Sequence, residues 1–192
     1  MPTPSVGAQQ ELIATLQLTG TSEIVFSSIP QTFNTLEIIL SGQGNVNVDN
    51  DSIRIRVNDI SETSVYYTYS GIYQNHTTVA SQGAFSGNNT ARIGDQFSGY
   101  NQPAYSNRCA SIGRYLMQDY ADTSKDTLLY GYTGPANYNA APYGFTNFRG
   151  VFIDRLASGG SAVAVNKIRI NFGSTFDTGF LAGSACYLYG WP

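Results

Sequence analysis

Side chains that could carry out a reaction are few and scattered in this chain. One histidine, His76, lies in the polar stretch YQNHTTV. Without a second histidine there is no imidazole pair for a zinc-type site, and no serine stands in a G-x-S-x-G elbow where it could act as a nucleophile. His76 reads as a solvated loop or strand residue. Carboxylates do cluster, as Asp49 and Asp51 in VDNDS and as Asp119, Asp122 and Asp126 in DYADTSKD. Paired carboxylates can serve glycoside hydrolysis or hold calcium. However, DNDSIR lacks the glycine and distal glutamate of an EF-type loop, and turn formation accounts for both clusters. Cys109 and Cys186 are too far apart for a CxxC knuckle and too few for a disulfide framework, so both read as buried thiols. The sequence predicts no catalytic residue, no metal and no cofactor.

Aromatic rings are the richer chemical resource. GYTGPANYNAAPYGFTNF, residues 131 to 148, gathers Tyr132, Tyr138, Tyr143, Phe145 and Phe148 among small and amide residues. Tyrosine offers a large contact area at low entropy cost, which suits a protein interface or a platform on which sugars stack. The same rings could instead cover the open end of a β-sandwich beneath a long loop. A second aromatic group sits in the uncharged tail FLAGSACYLYGWP, residues 180 to 192. Strand alternation there puts Cys186 and Leu188 on one face and Ala185, Tyr187, Tyr189 and Trp191 on the other. Trp191 either anchors a contact with a neighbour or folds back on its own domain.

The elements that must position these rings are strands. DSIRIRVND alternates Ile53, Ile55 and Val57 with polar residues, KIRINF does the same with Ile168, Ile170 and Phe172, and TLEIIL with Leu36, Ile38 and Leu40. ELIATLQL places Leu12, Ala14, Leu16 and Leu18 on one face, broken by Ile13. Further strands are expected at 23 to 26, 65 to 73, 84 to 93, 127 to 132, 148 to 153 and 185 to 190. IGRYLMQDY fits a strand leading through ADTSKD into TLLYGY as a hairpin, although Ile112, Tyr115 and Leu116 also have helical spacing. SGQG, SGNN, ASGGS and FGSTFDTG supply turns. About ten short strands without alternating helices predict an all-β fold, an antiparallel β-sandwich of jelly-roll type, with its longest Gly-, Asn- and Tyr-rich loops between about Ser98 and Phe148. Residues 1 to 10 form an N-terminal arm and 11 to 192 one domain.

Composition excludes several functions. Charged residues make up 12% of the chain, about half the usual share, and the net charge is −3. Ten thinly spread Lys and Arg residues form no basic stripe for nucleic acid and no polybasic patch for a membrane. MPTPSVGAQQ lacks the basic start and apolar stretch of a signal peptide, which predicts synthesis in a cytoplasm.

ELIATLQLTGTSEIVFSSIPQTFNTLEIILSG, DSIRIRVND, QDYADTSKDTLLYG and INFGSTFDTGFLAGSACYLYGWP, in that order, resemble a group of tailed-bacteriophage virion proteins. The resemblance rests on an early V-F-SSIP-x-T-F block from Val25 to Leu36 and a late block from Gly173 to Gly190 closing on LYG. Trp191 and Pro192 depart from it, because the group's usual ending is LYG followed by an aliphatic residue. The resemblance implies a jelly-roll-like sandwich of the kind found in capsid decoration proteins, head fibres and tail appendages, located on the particle exterior. With no nucleophile-base constellation and a single histidine, the expected function is a non-enzymatic capsid decoration or cement protein, with the major capsid protein or other virion proteins as partners; low charge and aromatic excess predict a homo-oligomer, which the resemblance implies is a trimer. The alternative is a tail or fibre adhesin binding a host glycan. Strands beginning by residue 11 with no repeat favour the stand-alone decoration protein. Tyr132, Tyr138, Tyr143, Phe145, Phe148, Tyr187, Tyr189 and Trp191 are the expected interface residues.

Overall fold

The computed structural model describes residues 9–20, 23–45, 50–59, 66–75, 78–85, 91–98, 111–135, 147–154, 163–172 and 179–192. Among these are twelve β-strands and no helix: β1 (Glu11–Gln17), β2 (Ile24–Ser27), β3 (Thr35–Gly42), β4 (Asn50–Val57), β5 (Tyr66–Asn75), β6 (Thr78–Phe85), β7 (Ala91–Ser98), β8 (Ser111–Gln118), β9 (Thr127–Pro135), β10 (Asn147–Asp154), β11 (Lys167–Phe172) and β12 (Ala185–Trp191). They form two antiparallel sheets packed face to face, so the chain is an all-β sandwich. The large sheet has eight strands in the order β1-β12-β3-β8-β9-β10-β5-β6, and the small sheet has four in the order β2-β11-β4-β7.

The pairings are nested. β1 pairs with β12 and β2 with β11, β3 lies between β12 and β8, and β4 lies between β11 and β7. Successive strands therefore step from one sheet to the other, as if a long hairpin had been wound into a sandwich. Two insertions extend the large sheet: β5 and β6 between β4 and β7, and β9 and β10 between β8 and β11.

Alternation decides what enters the core. On β8 the pattern is strict, with Ser111, Gly113, Tyr115 and Met117 buried while Ile112 and Arg114 are exposed. Ile53, Ile55 and Val57 from β4 stand in register beside Phe172, Ile170 and Ile168 from β11, and the same buried cluster takes in Leu36, Ile38, Leu40, Cys186 and Leu188 from the large sheet. Full burial of a side chain of this size contributes about 1.5 to 3 kcal/mol. Tyr115 and Tyr120 are the largest fully buried side chains among the described residues, and Tyr115 fits because glycines face it. A Cβ on Gly94 of β7 would stand 2.9 Å from the Tyr115 hydroxyl and 2.6 Å from Thr133, too close for any side chain. Burial pushes the Tyr115 phenol and the Cys186 thiol well above their usual pKa values.

Two local expectations change. Leu12 does not join Ala14, Leu16 and Leu18 in the core, because the register shifts between Leu12 and Ala14. That bulge turns Leu12 outward, 52% exposed, and lets Ile13 pack against the core instead. AFSGNNTARI is not one strand: its first residues end β6 in the large sheet and its last begin β7 in the small one. The β8–β9 hairpin forms as its sequence predicts, pairing Ser111 with Pro135 through Gln118 with Leu128.

Candidate functional site

The outward face of the large sheet is built by the half of the same alternation that points away from the core. Antiparallel register aligns its residues in three rows across the strands. The first runs Thr15, Tyr187, Ile39, Arg114, Tyr132 and, by backbone register, Phe148. A second runs Leu12, Tyr189, Glu37, Leu116, Tyr130 and, by backbone register, Gly150, and a third Trp191, Thr35, Gln118, Leu128 and, by backbone register, Phe152. Tyr187 and Tyr189 stack with ring centroids 6.5 Å apart and planes inclined by 22°.

Glu37 sits in the middle of this face and is nonetheless fully buried. Its carboxylate accepts hydrogen bonds from the Gln10 side-chain amide, from Arg114 Nε and, at 3.0 Å, from the Trp191 indole Nε1. Three donors from separate parts of the chain thus satisfy a charge that would otherwise be costly to bury. Glu37 also holds the Arg114 guanidinium more firmly protonated than usual, first by its hydrogen bond and then by its charge. The Trp191 N–H is committed to its own domain, while its ring remains only half-buried.

Beside this network is a pocket of about 240 Å³ lined by Arg114, Leu116, Tyr130, Gly131 and Tyr132. Gly131 contributes bare backbone, because its hydrogen points inward where a Cβ would stand 2.1 Å from the Arg114 carbonyl oxygen. Tyr132 is 39% exposed, and the Tyr130 hydroxyl accepts from the Gln118 amide at 3.4 Å.

The outward face of the small sheet is different. Arg169 lies opposite Arg56, and Arg54 opposite Arg92. Glu23 clasps the Arg169 guanidinium at 2.7 and 3.0 Å, and Asp59 pairs with Lys167 and with Arg169. The Lys167 hydrogen bond holds the Asp59 carboxyl below its usual range, outweighing desolvation.

Of the residues singled out from sequence, Tyr187, Tyr189, Trp191 and Tyr132 are brought together on the large sheet's outward face. Phe148 lies on β10 as the register partner of Tyr132, while Tyr138, Tyr143 and Phe145 fall outside the described residues, as do His76, Asp49 and Cys109. In the β8–β9 turn, Asp122 accepts from the Ser124 backbone at 2.8 Å and from its hydroxyl at 2.7 Å, which is turn chemistry. No group of three or more metal-ligating side chains occurs among the described residues. Sequence reasoning missed Glu37, Arg114, Leu116 and Tyr130. A glutamate inside the apolar run TLEIIL, on the face that β12 fills with rings, was the available signal.

Fold and site together define a two-sheet antiparallel sandwich with an aromatic outer face organised around a buried carboxylate. No family model, curated protein or solved structure matches the chain.

Proposed function

We propose that this chain is a non-enzymatic bacteriophage virion protein that decorates and stabilises the capsid lattice, docking through the β1–β12 end of its large sheet. The observation that carries the reading is the surface at that end, where exposed Leu12 stands in register beside Tyr189, and Tyr189 stacks on Tyr187. Aromatic and aliphatic groups fixed on a rigid sheet lose little entropy on docking. Two further facts support it. The nested strand pairing is the winding expected of a jelly roll, an architecture that recurs in viral capsid domains, and the Val25 to Leu36 and Gly173 to Gly190 blocks resemble those of tailed-phage virion proteins. A symmetric oligomer, the trimer that the resemblance implies, multiplies a modest contact through avidity.

The test is co-sedimentation of the purified chain with capsids stripped of decoration proteins. Binding that is lost in the double variant Leu12→Lys/Tyr187→Lys, with the melting temperature kept within a few degrees, supports the reading. Wild-type protein that never pellets with capsids contradicts it. The adhesin reading draws on a separate observation, the pocket between β8 and β9.

A further inference from the structure

We infer that the pocket between β8 and β9 is a binding site for one uncharged pyranose ring. It lies away from the docking end: β12, β3, β8 and β9 are successive neighbours, and a twist of roughly 20 to 25° per step turns β8 and β9 roughly 40 to 75° from the β12 surface. Capsid docking and ligand binding at the pocket therefore do not exclude each other, and this inference does not rest on the docking reading.

Four features select the ligand. Volume comes first: about 240 Å³ corresponds to roughly eight water molecules at about 30 Å³ each, enough for one ring but not for an extended chain. Its walls are Tyr130 and Tyr132, flanking the bare backbone of Gly131 with Leu116 beside it, and such surfaces suit the C–H face of a sugar. Polar groups at the rim are donors: the Arg114 guanidinium, with the Tyr132 hydroxyl beside it, and the Tyr130 hydroxyl, which accepts from Gln118 and keeps its own O–H to give. Vicinal sugar hydroxyls accept from such donors in pairs. Charge is the fourth feature. Arg114 is already matched by Glu37, so an anionic ligand gains little from it, whereas a neutral polyol uses its directed N–H groups without leaving a charge unpaired. A purely apolar ligand would strand those donors.

The recognition is preorganised, because Glu37 fixes Arg114 from beneath and Gln118 fixes the Tyr130 hydroxyl. A single ring in so shallow a site binds with a dissociation constant on the order of 1 mM, so multivalent display on an oligomer is what would make it useful.

The experiment is saturation-transfer difference NMR on the intact chain with methyl α-glucopyranoside, methyl β-galactopyranoside and N-acetylglucosamine, and with a hexaproline peptide as competitor. The expected result is transfer to the ring C–H protons of at least one sugar, weakened at least tenfold by Tyr132→Ala, which removes a wall, and by Leu116→Trp, which fills the pocket. Tyr132 is exposed, so its variant keeps the wild-type melting temperature. No transfer to any of the three sugars, transfer that survives both variants, or binding of the peptide alone overturns the inference.

Discussion

The two outward faces of the sandwich obey the same alternation and cover the same core, yet they solve the problem of a second face differently. On the small sheet the solution is ionic. Five of the ten basic residues, Arg54, Arg56, Arg92, Lys167 and Arg169, lie on its strands, and Glu23 and Asp59 offset the like charges that register places side by side. On the large sheet it is aromatic, with rings and aliphatic groups in rows around a carboxylate they help to bury. A half-exposed ion-pair lattice is satisfied within its own chain and weakens with salt. An aromatic face with a dry central charge is insensitive to salt and still offers apolar area to a partner. The contrast is what favours the proposed docking through the large sheet over docking through the small one.

The largest expected effect separates the two sides of β12 itself. Leu188→Ala should cost about 3 kcal/mol, since it empties a fully buried site, whereas Tyr187→Ser on the opposite side should cost less than 1 kcal/mol. Urea unfolding of both variants checks this, and similar costs would erase the distinction between a core side and a contact side.

Next comes the comparison of the two arginines. Arg114→Ala strands a fully buried carboxylate and should cost about 2 kcal/mol, below the usual figure for buried pairs because Arg114 itself is 48% exposed. Arg169→Ala breaks a pair whose partners are 27% and 28% exposed and should cost about 1 kcal/mol or less. Raising salt from 0.05 to 1 M should shrink only the Arg169 effect, given screening lengths of about 3 Å at 1 M. Equal salt dependence in denaturation curves would break the comparison.

Trp191→Phe keeps a ring and removes the N–H that Glu37 accepts, so a loss of about 1.5 kcal/mol is expected. A variant as stable as the wild type would show that Gln10 and Arg114 alone satisfy the carboxylate.

The smallest effect lies in the β8–β9 turn. Hydrogen bonds from Ser124 lower the Asp122 carboxyl from 3.8 to about 2. A depressed folded-state value means that the ionised form stabilises the fold above pH 3.8, and that this contribution disappears as the pH falls from 3.8 to 2. Asp122→Asn should therefore melt slightly below the wild type at pH 6 and together with it near pH 2. A gap that persists at pH 2 would point to a role that does not depend on ionisation.

Much of this was legible in local sequence. Ile53, Ile55 and Val57, or Cys186 and Leu188, announce their faces by alternation alone, and the β8–β9 hairpin follows from ADTSKD between two apolar runs. Leu12 was misplaced because a bulge adds one residue to a strand and inverts every face before it, with no composition signal in ELIATLQ. β6, TVASQGAF, mixes small, polar and apolar residues and shows no clear period. Glu37 was hidden for another reason. Its burial depends on donors 27, 77 and 154 residues away, a juxtaposition set by sheet order and invisible to any local window.

The proposed recognition through the large sheet is tested most directly by electron cryomicroscopy of undecorated tailed-phage capsids incubated with the purified chain. The account predicts density for the sandwich on the capsid exterior, with Leu12, Tyr187 and Tyr189 against the lattice and the Tyr130–Tyr132 pocket open to solvent. A sandwich seated on the lattice through Arg54, Arg56 and Arg169, or absent from the capsid surface, would contradict it.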